Sequence, residues 1–255
     1  MSNSTANALD AGQYALDEIR KYEAIYGRNF ISPGGEATTR QILGLVAFRP
    51  DMDVLDVGCG LGGAAFVMAQ TFGARVHGID LSRNMLQIAQ LRCQQAGLTH
   101  VVSFEHADVL QYDRPNAYDL VHSRDVFLHI HDKVGLFAAI RRCLRPGGLL
   151  LFTDYLCRAG APSREFASYI RGRQYDLRTL DAYCALLGQA GFDILMAHDR
   201  TDDFIRILER ELAQLGNNQL DLQERMALSE SWLAKIKRAR DGEQRWGVFV
   251  AKKPE

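Results

Sequence analysis

The chain has 255 residues, 47 % of them hydrophobic and 24 % charged, with a formal net charge of −1. A chain of this length can bury roughly three quarters of its unfolded surface, and a near-neutral balance argues against a general nucleic-acid binder, which carries a basic face. No apolar run is long enough to span a bilayer, and the opening MSNSTANALDAGQY lacks the basic start and apolar stretch of a signal peptide, so a cytoplasmic protein without membrane insertion is expected.

In chain order, an apolar run predicts a strand over 52–57 (MDVLDV), followed by a glycine turn and a helix over 62–72. A second strand follows over 75–79. The helix after it, 82–96, has Ser82 as its N-cap and Gly97 as its stop. Strands are predicted over 101–106 and 118–123, a helix over 133–144 that ends before Arg145-Pro146-Gly147-Gly148, and a fifth strand over 149–154. Strands alternating with helices imply a parallel sheet covered on both faces. Beyond Asp154 come helices over 163–173 and 179–191, a strand over 192–197, amphipathic helices over 200–215 and 221–240, and a last strand over 244–251. The two late strands are expected at the sheet edge as an antiparallel pair with a helical lid inserted between them. No linker separates a second unit, so residues 1–255 form one domain: an N-terminal lid (1–40), a cofactor-binding core (41–155) and acceptor-binding helices with C-terminal strands (156–255).

The segment Val54-Leu-Asp-Val-Gly-Cys-Gly-Leu-Gly-Gly63 carries the first chemistry. Its glycines allow a tight turn and close approach of a ligand, as in dinucleotide folds too. Asp56, two residues before Gly58, would meet a pyrophosphate at close range. It suits a cofactor that lacks phosphates and bears a sulfonium and an amino acid tail. Asp80 ends the second strand, where it can take two ribose hydroxyls. Asp108 follows the third and can accept from an exocyclic amine. Five cysteines (Cys59, Cys93, Cys143, Cys157, Cys184), odd in number and without a CxxC pair, read as reduced thiols, mostly core fillers; no metal is expected. After the fourth strand, Ser123-Arg-Asp-Val-Phe-Leu-His129 places Asp125 and His129 four residues apart, on one face if the segment is helical.

The Asp56, Asp80 and Asp108 series resembles class I S-adenosylmethionine methyltransferases from about residue 22 to 154, which implies a Rossmann-like, doubly wound seven-stranded α/β sheet whose last strand is antiparallel. A narrower resemblance runs along almost the whole chain. Gln13-Tyr14, Tyr22-Glu-Ala-Ile-Tyr-Gly27, Asn29-Phe-Ile-Ser-Pro-Gly-Gly35, Ser123-Arg-Asp125, Leu128-His129, Thr153-Asp-Tyr155, Tyr169 with Arg173-Gln-Tyr175, Lys235-Ile-Lys237 and Gln244-Arg-Trp-Gly247 are similar to the phosphoethanolamine N-methyltransferases of the phosphobase pathway. That resemblance implies N-methylation of phosphoethanolamine or its mono- and dimethyl forms towards phosphocholine, with S-adenosylmethionine as cofactor. It also implies roles by position. Tyr14 on a lid, mobile until substrate arrives, would pair with His129. Asp125 and His129 would hold the amine and manage its proton. Tyr22, Tyr155, Tyr169, Arg173, Tyr175 and Lys235 would hold the phosphate. Gln13, Ile31, Ser32, Gly58, Asp80, Leu81, Asp108, Val109 and Arg124 would line the cofactor pocket, with Asp56 and Gly60 from the glycine turn.

The residue types agree with that chemistry: a phosphate dianion wants fixed cations and hydroxyl donors, and tyrosine faces attract a methylammonium. An alkyl ammonium titrates near pH 10, so an amine acceptor needs a group that takes its proton. Taken alone, Tyr169, Arg173 and Tyr175 would read as a solvated helix face and Lys235 as one charge among many. Position 59 (Cys), Ala64-Ala65 and the linker 158–162 depart from the family pattern and could retune the acceptor. Two other readings stay open: a methyltransferase for glycine, sarcosine, a thioether amino acid or a natural-product amine, and a nicotinamide-binding oxidoreductase, with a cofactor-binding module lacking turnover as a third. The small-molecule substrate is the expected partner, of a monomer or weak homo-oligomer, with no nucleic acid.

Overall fold

The computed structural model describes residues 10–12, 14–217 and 220–255. Seven strands form one sheet: β1 (Asp53–Val57), β2 (Arg75–Asp80), β3 (Val102–His106), β4 (Tyr118–Arg124), β5 (Leu144–Cys157), β6 (Asp193–Asp199) and β7 (Gln244–Lys252), in the order β3-β2-β1-β4-β5-β7-β6. β1 through β5 pair in parallel, and β7 runs antiparallel to both β5 and β6. This is the doubly wound sheet expected, with the last strand reversed. That strand lies between β5 and β6, however, and β6 forms the edge. The burial pattern explains the order. Along β7 seven of nine residues are buried, whereas β6 exposes Asp193, Ile194, Leu195, His198 and Asp199.

Alternate strand residues point to opposite faces, and two cores result. Val54, Leu120, Leu151, Val248 and Val250 pack on one side with Met68, Phe204, Trp232 and Trp246; Leu55, Val121, Leu150, Phe152 and Phe249 pack on the other with Phe127, Phe137 and Tyr183. The helices that cover these faces are α1 (Leu16–Tyr26), α2 (Gly35–Leu43), α3 (Gly63–Phe72), α4 (Arg83–Gln95), α5 (Lys133–Cys143), α6 (Arg164–Arg173), α7 (Leu180–Gln189), α8 (Thr201–Gln214) and α9 (Leu222–Arg240).

Helix starts follow side-chain chemistry. Ser82, Asp132, Ser163 and Thr179 each accept a backbone N–H of the first turn, and Asp221 with Glu224 closes a reciprocal capping box on α9. Two departures from the sequence reading stand out. Residues 16–43, left without elements, form α1 and α2. The fifth strand begins at Leu144 rather than Leu149, because Arg145–Gly148 is carried as an irregularity: Tyr118 pairs with Leu144 and Leu120 already with Leu149. Among the described residues no helix is long and apolar enough to cross a membrane, and no cluster of His, Cys, Asp and Glu could hold a metal ion.

Candidate active site

The C-terminal ends of β1, β2, β4 and β5 open on one cavity of about 700 Å³. Every residue assigned a catalytic, cofactor or substrate role above lines it except Gln13, which lies outside the described residues.

The floor of the cavity is the turn after β1. Gly58 and Gly60 have φ of 69° and 53°, and a Cβ on Gly58 would stand 2.4 Å from Val126 Cγ2. Only glycine fits such a conformation and such an approach. Backbone N–H groups of Gly60 and Ser82 donate to the two oxygens of Asp80 at 2.9 and 2.8 Å. Burial still pushes the Asp80 carboxyl above its ordinary value, against those bonds. Each Asp80 oxygen keeps lone pairs for hydroxyl donors. Asp108 stands on the wall beside Leu81 and Val109, with Oδ1 accepting from Leu110 N at 3.0 Å. Asp56 is 2 % exposed; its Oδ1 pairs with His122 Nδ1 at 2.7 Å across the β1–β4 ladder, while Oδ2 is buried without a partner. His122 carried no signal in the sequence, since its partner lies 66 residues away.

The roof comes from the N-terminal segment. The Asp10 carboxylate accepts from Ser82 Oγ at 2.5 Å and Arg83 N at 3.1 Å, and Asn84 Nδ2 donates to the carbonyls of Asp10 and Tyr14 at 3.1 and 3.0 Å. Asp10 and Tyr14 are thus docked on the start of α4. Tyr14 is brought to the cavity, and burial first, then the Asp80 charge, raises its phenol well above the usual value. Ile31 covers Gly60, with its Cδ1 3.2 Å from where a Cβ there would sit. Arg124 lines the cavity too, but its guanidinium is turned to the chain: it donates to Gly35 O at 3.1 Å, Thr39 Oγ1 at 2.6 Å and Pro33 O. It clamps the strip that bears Ser32. Glu211 of α8 completes that clamp, accepting Gly34 N at 2.6 Å and Trp232 Nε1 at 3.0 Å.

A further wall of the cavity begins at Asp125. It is not on a helix: φ is 57°, and a single 3-10 turn, Phe127–His129, follows. The expected shared helical face of Asp125 and His129 is therefore replaced by a left-handed residue and a tight turn, which still bring both side chains to the cavity. Asp125 Oδ1 accepts from Thr153 Oγ1 and Trp246 Nε1, both at 2.8 Å; Oδ2 is buried and unpartnered. The turn is held from below. Asp154 accepts from Leu128 N at 3.2 Å and from the Tyr183 hydroxyl, and burial pushes its carboxyl up to about 7. Lys133, 2 % exposed, donates to Phe127 O at 2.8 Å, Ile130 O at 2.6 Å, Asp176 O at 3.0 Å and Asp176 Oδ2 at 3.1 Å. Burial, with Lys133 and Arg173 nearby, lowers His129 to about 4, so its ring is neutral at physiological pH. It stands edge-on to Tyr175 at 5.2 Å.

Beyond His129 the wall is aromatic and cationic. Tyr169 and Tyr175 meet edge to face at 5.9 Å, Arg173 lies 6.0 Å from the Tyr169 centroid, and Lys235 sits 4.6 Å above Trp232 and 5.9 Å above Tyr155. Among the described residues Lys235 makes no ion pair; burial lowers its ammonium to about 8. Tyr169, Arg173, Tyr175 and Lys235 are thus gathered on the cavity rather than spread along solvated helix faces. Sequence reasoning missed Tyr26 and Trp232 on the same wall, and Arg238, whose guanidinium lies 3.9 Å from the Tyr169 centroid. The cavity therefore offers both a buried carboxylate oxygen and two cations among tyrosines, which matches a small molecule that carries a cationic and an anionic group.

Comparisons with known proteins agree with this chemistry. Residues 54–148 match the family model described as a methyltransferase domain. The chain is 42 % identical over 252 residues to phosphoethanolamine N-methyltransferase 1 of Zea mays, covering 96 % of this chain and 50 % of that protein. It thus spans about half the length of the plant relatives it matches. It is 34 % identical to the phosphoethanolamine N-methyltransferase of Plasmodium falciparum, covering 98 % of this chain and 97 % of that one. A solved structure of Haemonchus contortus phosphoethanolamine N-methyltransferase 2, in complex with phosphomonomethylethanolamine and S-adenosylhomocysteine, superposes with a TM-score of 0.94 at 34 % identity, over 100 % of this chain and 61 % of that one.

Proposed function

Since the chain belongs to the phosphoethanolamine N-methyltransferase family, we propose that it methylates the nitrogen of a small phosphorylated amine, phosphoethanolamine or its mono- and dimethyl forms, towards phosphocholine. One observation carries the reading: the buried, unpartnered Asp125 Oδ2 shares a cavity with Arg173 and Lys235, so a zwitterion with an amine and a phosphate finds a counter-charge at each end. We take the chain as one cytoplasmic domain, with 1–40 as lid, 41–155 as cofactor core and 156–255 as the acceptor-binding part.

The residues fit S-adenosylmethionine. The glycine cradle has no room for a Cβ at Gly58, and Asp56 Oδ2 is an orphaned buried anion at the cavity floor. When bound, that cofactor supplies an electrophilic methyl group on sulfur. Asp80 takes the ribose hydroxyls, Asp108 an exocyclic amine, and Asp56 faces the cationic part. Gly58, Gly60, Ile31, Ser32, Leu81, Val109 and Arg124 shape the walls. Asp125 and His129 hold the acceptor amine through N–H and manage its proton. A neutral His129 accepts from the ammonium where a charged one would repel it. Tyr14 closes the site against His129, excluding water. Tyr22, Tyr155, Tyr169, Arg173, Tyr175 and Lys235 hold the phosphate, and positioning of the nitrogen in line carries much of the rate.

Labelled S-adenosylmethionine tests this with phosphoethanolamine, its mono- and dimethyl forms, the matching phosphate-free amines, glycine and sarcosine. The phosphorylated amines should be methylated with kcat/KM at least about tenfold above their phosphate-free counterparts, one charge-assisted contact being worth that much. Equal rates with and without phosphate would show that another small amine is the acceptor.

A further inference from the structure

Two side chains to which the sequence motifs assign no role control the Asp125 carboxylate. Trp246 stands on β7 and Thr153 on the neighbouring β5; their side chains converge on the same oxygen, Asp125 Oδ1, at 2.8 Å each. Thr153 also accepts Asp125 N through its backbone oxygen at 2.9 Å, which pins the left-handed residue at φ 57°. The indole is 2 % exposed and stacks on Phe204 at 6.0 Å, so its N–H has one direction available. With two donors on Oδ1 and the backbone fixed, the carboxylate cannot rotate without breaking a buried hydrogen bond to a charged group. Oδ2, buried and unpartnered, keeps a single orientation.

We infer that Trp246, together with Thr153, is a positioning residue for the acceptor amine: it holds Asp125 so that Oδ2 receives the amine N–H and the nitrogen is presented in one orientation. The inference rests on the reading of Asp125 as the amine-holding group. Trp246 touches neither substrate nor cofactor in this account. Its effect passes entirely through Asp125.

A double-mutant cycle separates this role from packing. Initial rates with phosphoethanolamine at saturating S-adenosylmethionine are measured for Asp125→Ala, Trp246→Phe, Thr153→Val and the two doubles carrying Asp125→Ala. Phe204→Leu, alone and with Asp125→Ala, serves as the packing control. Asp125→Ala should lose about 100-fold or more in kcat/KM. Trp246→Phe and Thr153→Val, which differ in shape and strand, should each lose about tenfold, through kcat, with S-adenosylhomocysteine affinity by calorimetry within about twofold of wild type. In the Asp125→Ala background both losses should shrink below about twofold, whereas that of Phe204→Leu should multiply. If Trp246→Phe also multiplies, the indole acts through packing and the inference falls while the Asp125 reading stands. If Asp125→Ala retains wild-type kcat/KM, the Asp125 reading itself fails. Should Trp246→Phe not fold, the Thr153→Val cycle decides the same question.

Discussion

Lys235 is the group whose replacement tests the phosphate end most directly. Its ammonium rests on Trp232 and Tyr155 without an ion pair among the described residues, and burial brings it from 10.5 to about 8. At about 1.36 kcal/mol per tenfold, that fall corresponds to about 3 kcal/mol against the charged form. Solvent at the cavity mouth reduces the realisable part to about 1–2 kcal/mol. Lys235→Met keeps the stem on the rings and removes the charge. In the ligand-free protein it should raise Tm at pH 7 by a few degrees. The sign follows from linkage. The folded group titrates below the unfolded one, so the lysine costs stability below about pH 8, and the cost fades as pH rises towards 10.5. The same substitution should raise KM for phosphoethanolamine about 10- to 100-fold, a phosphate contact being worth about 1.5–3 kcal/mol, and leave S-adenosylhomocysteine affinity unchanged. Initial rates and thermal denaturation at pH 7 and pH 9 check both halves. A Lys235→Met enzyme with wild-type KM at pH 7 would refute the placement of phosphate at this ammonium.

Asp80→Ala should weaken S-adenosylmethionine binding by about 1–3 kcal/mol in calorimetry; unchanged affinity would overturn the ribose assignment. Gly58→Ala puts a Cβ 2.4 Å from Val126 in a left-handed turn, so cofactor binding should fall at least about 100-fold while far-ultraviolet circular dichroism stays that of the wild type. Tyr14→Phe and His129→Ala should each lower kcat, and the double variant should lose less than their product. Burial holds His129 at about 4 in the fold against near 6.5 unfolded, so it costs stability at low pH, and that cost fades as pH rises from about 4 to 6.5; His129→Gln should flatten that part of a Tm-versus-pH curve.

The strands and turns that build the cofactor half were legible because their signals are local. Apolar runs end in glycines, and Asp56, Asp80 and Asp108 fall at consecutive strand ends. α1 escaped notice because LDEIRKYEAIY buries only Ile19 and Tyr26, too few for a helical stripe. The start of β5 was hidden by Pro146-Gly147-Gly148, residues that ordinarily end a strand. The supports of the site were illegible for another reason. Trp246 reaches Asp125 across 121 residues and Arg124 reaches Pro33 across 91, and no local pattern announces such pairs. The tyrosine, arginine and lysine wall was read from resemblance rather than from spacing.

The buried Lys133 joins two stretches of chain that the sequence keeps 43 residues apart. Its three carbonyl partners come from the His129 turn and from the residue after Tyr175, and Asp176 N returns a bond to Leu128 O at 2.7 Å. Opening either stretch alone would strand an ammonium and several carbonyls away from water, at a cost of several kcal/mol. The two therefore open as one cooperative unit. In hydrogen exchange, the amides of Leu128 and Asp176 should report a single opening free energy, and the cavity walls bearing His129 and Tyr175 share one mechanical fate.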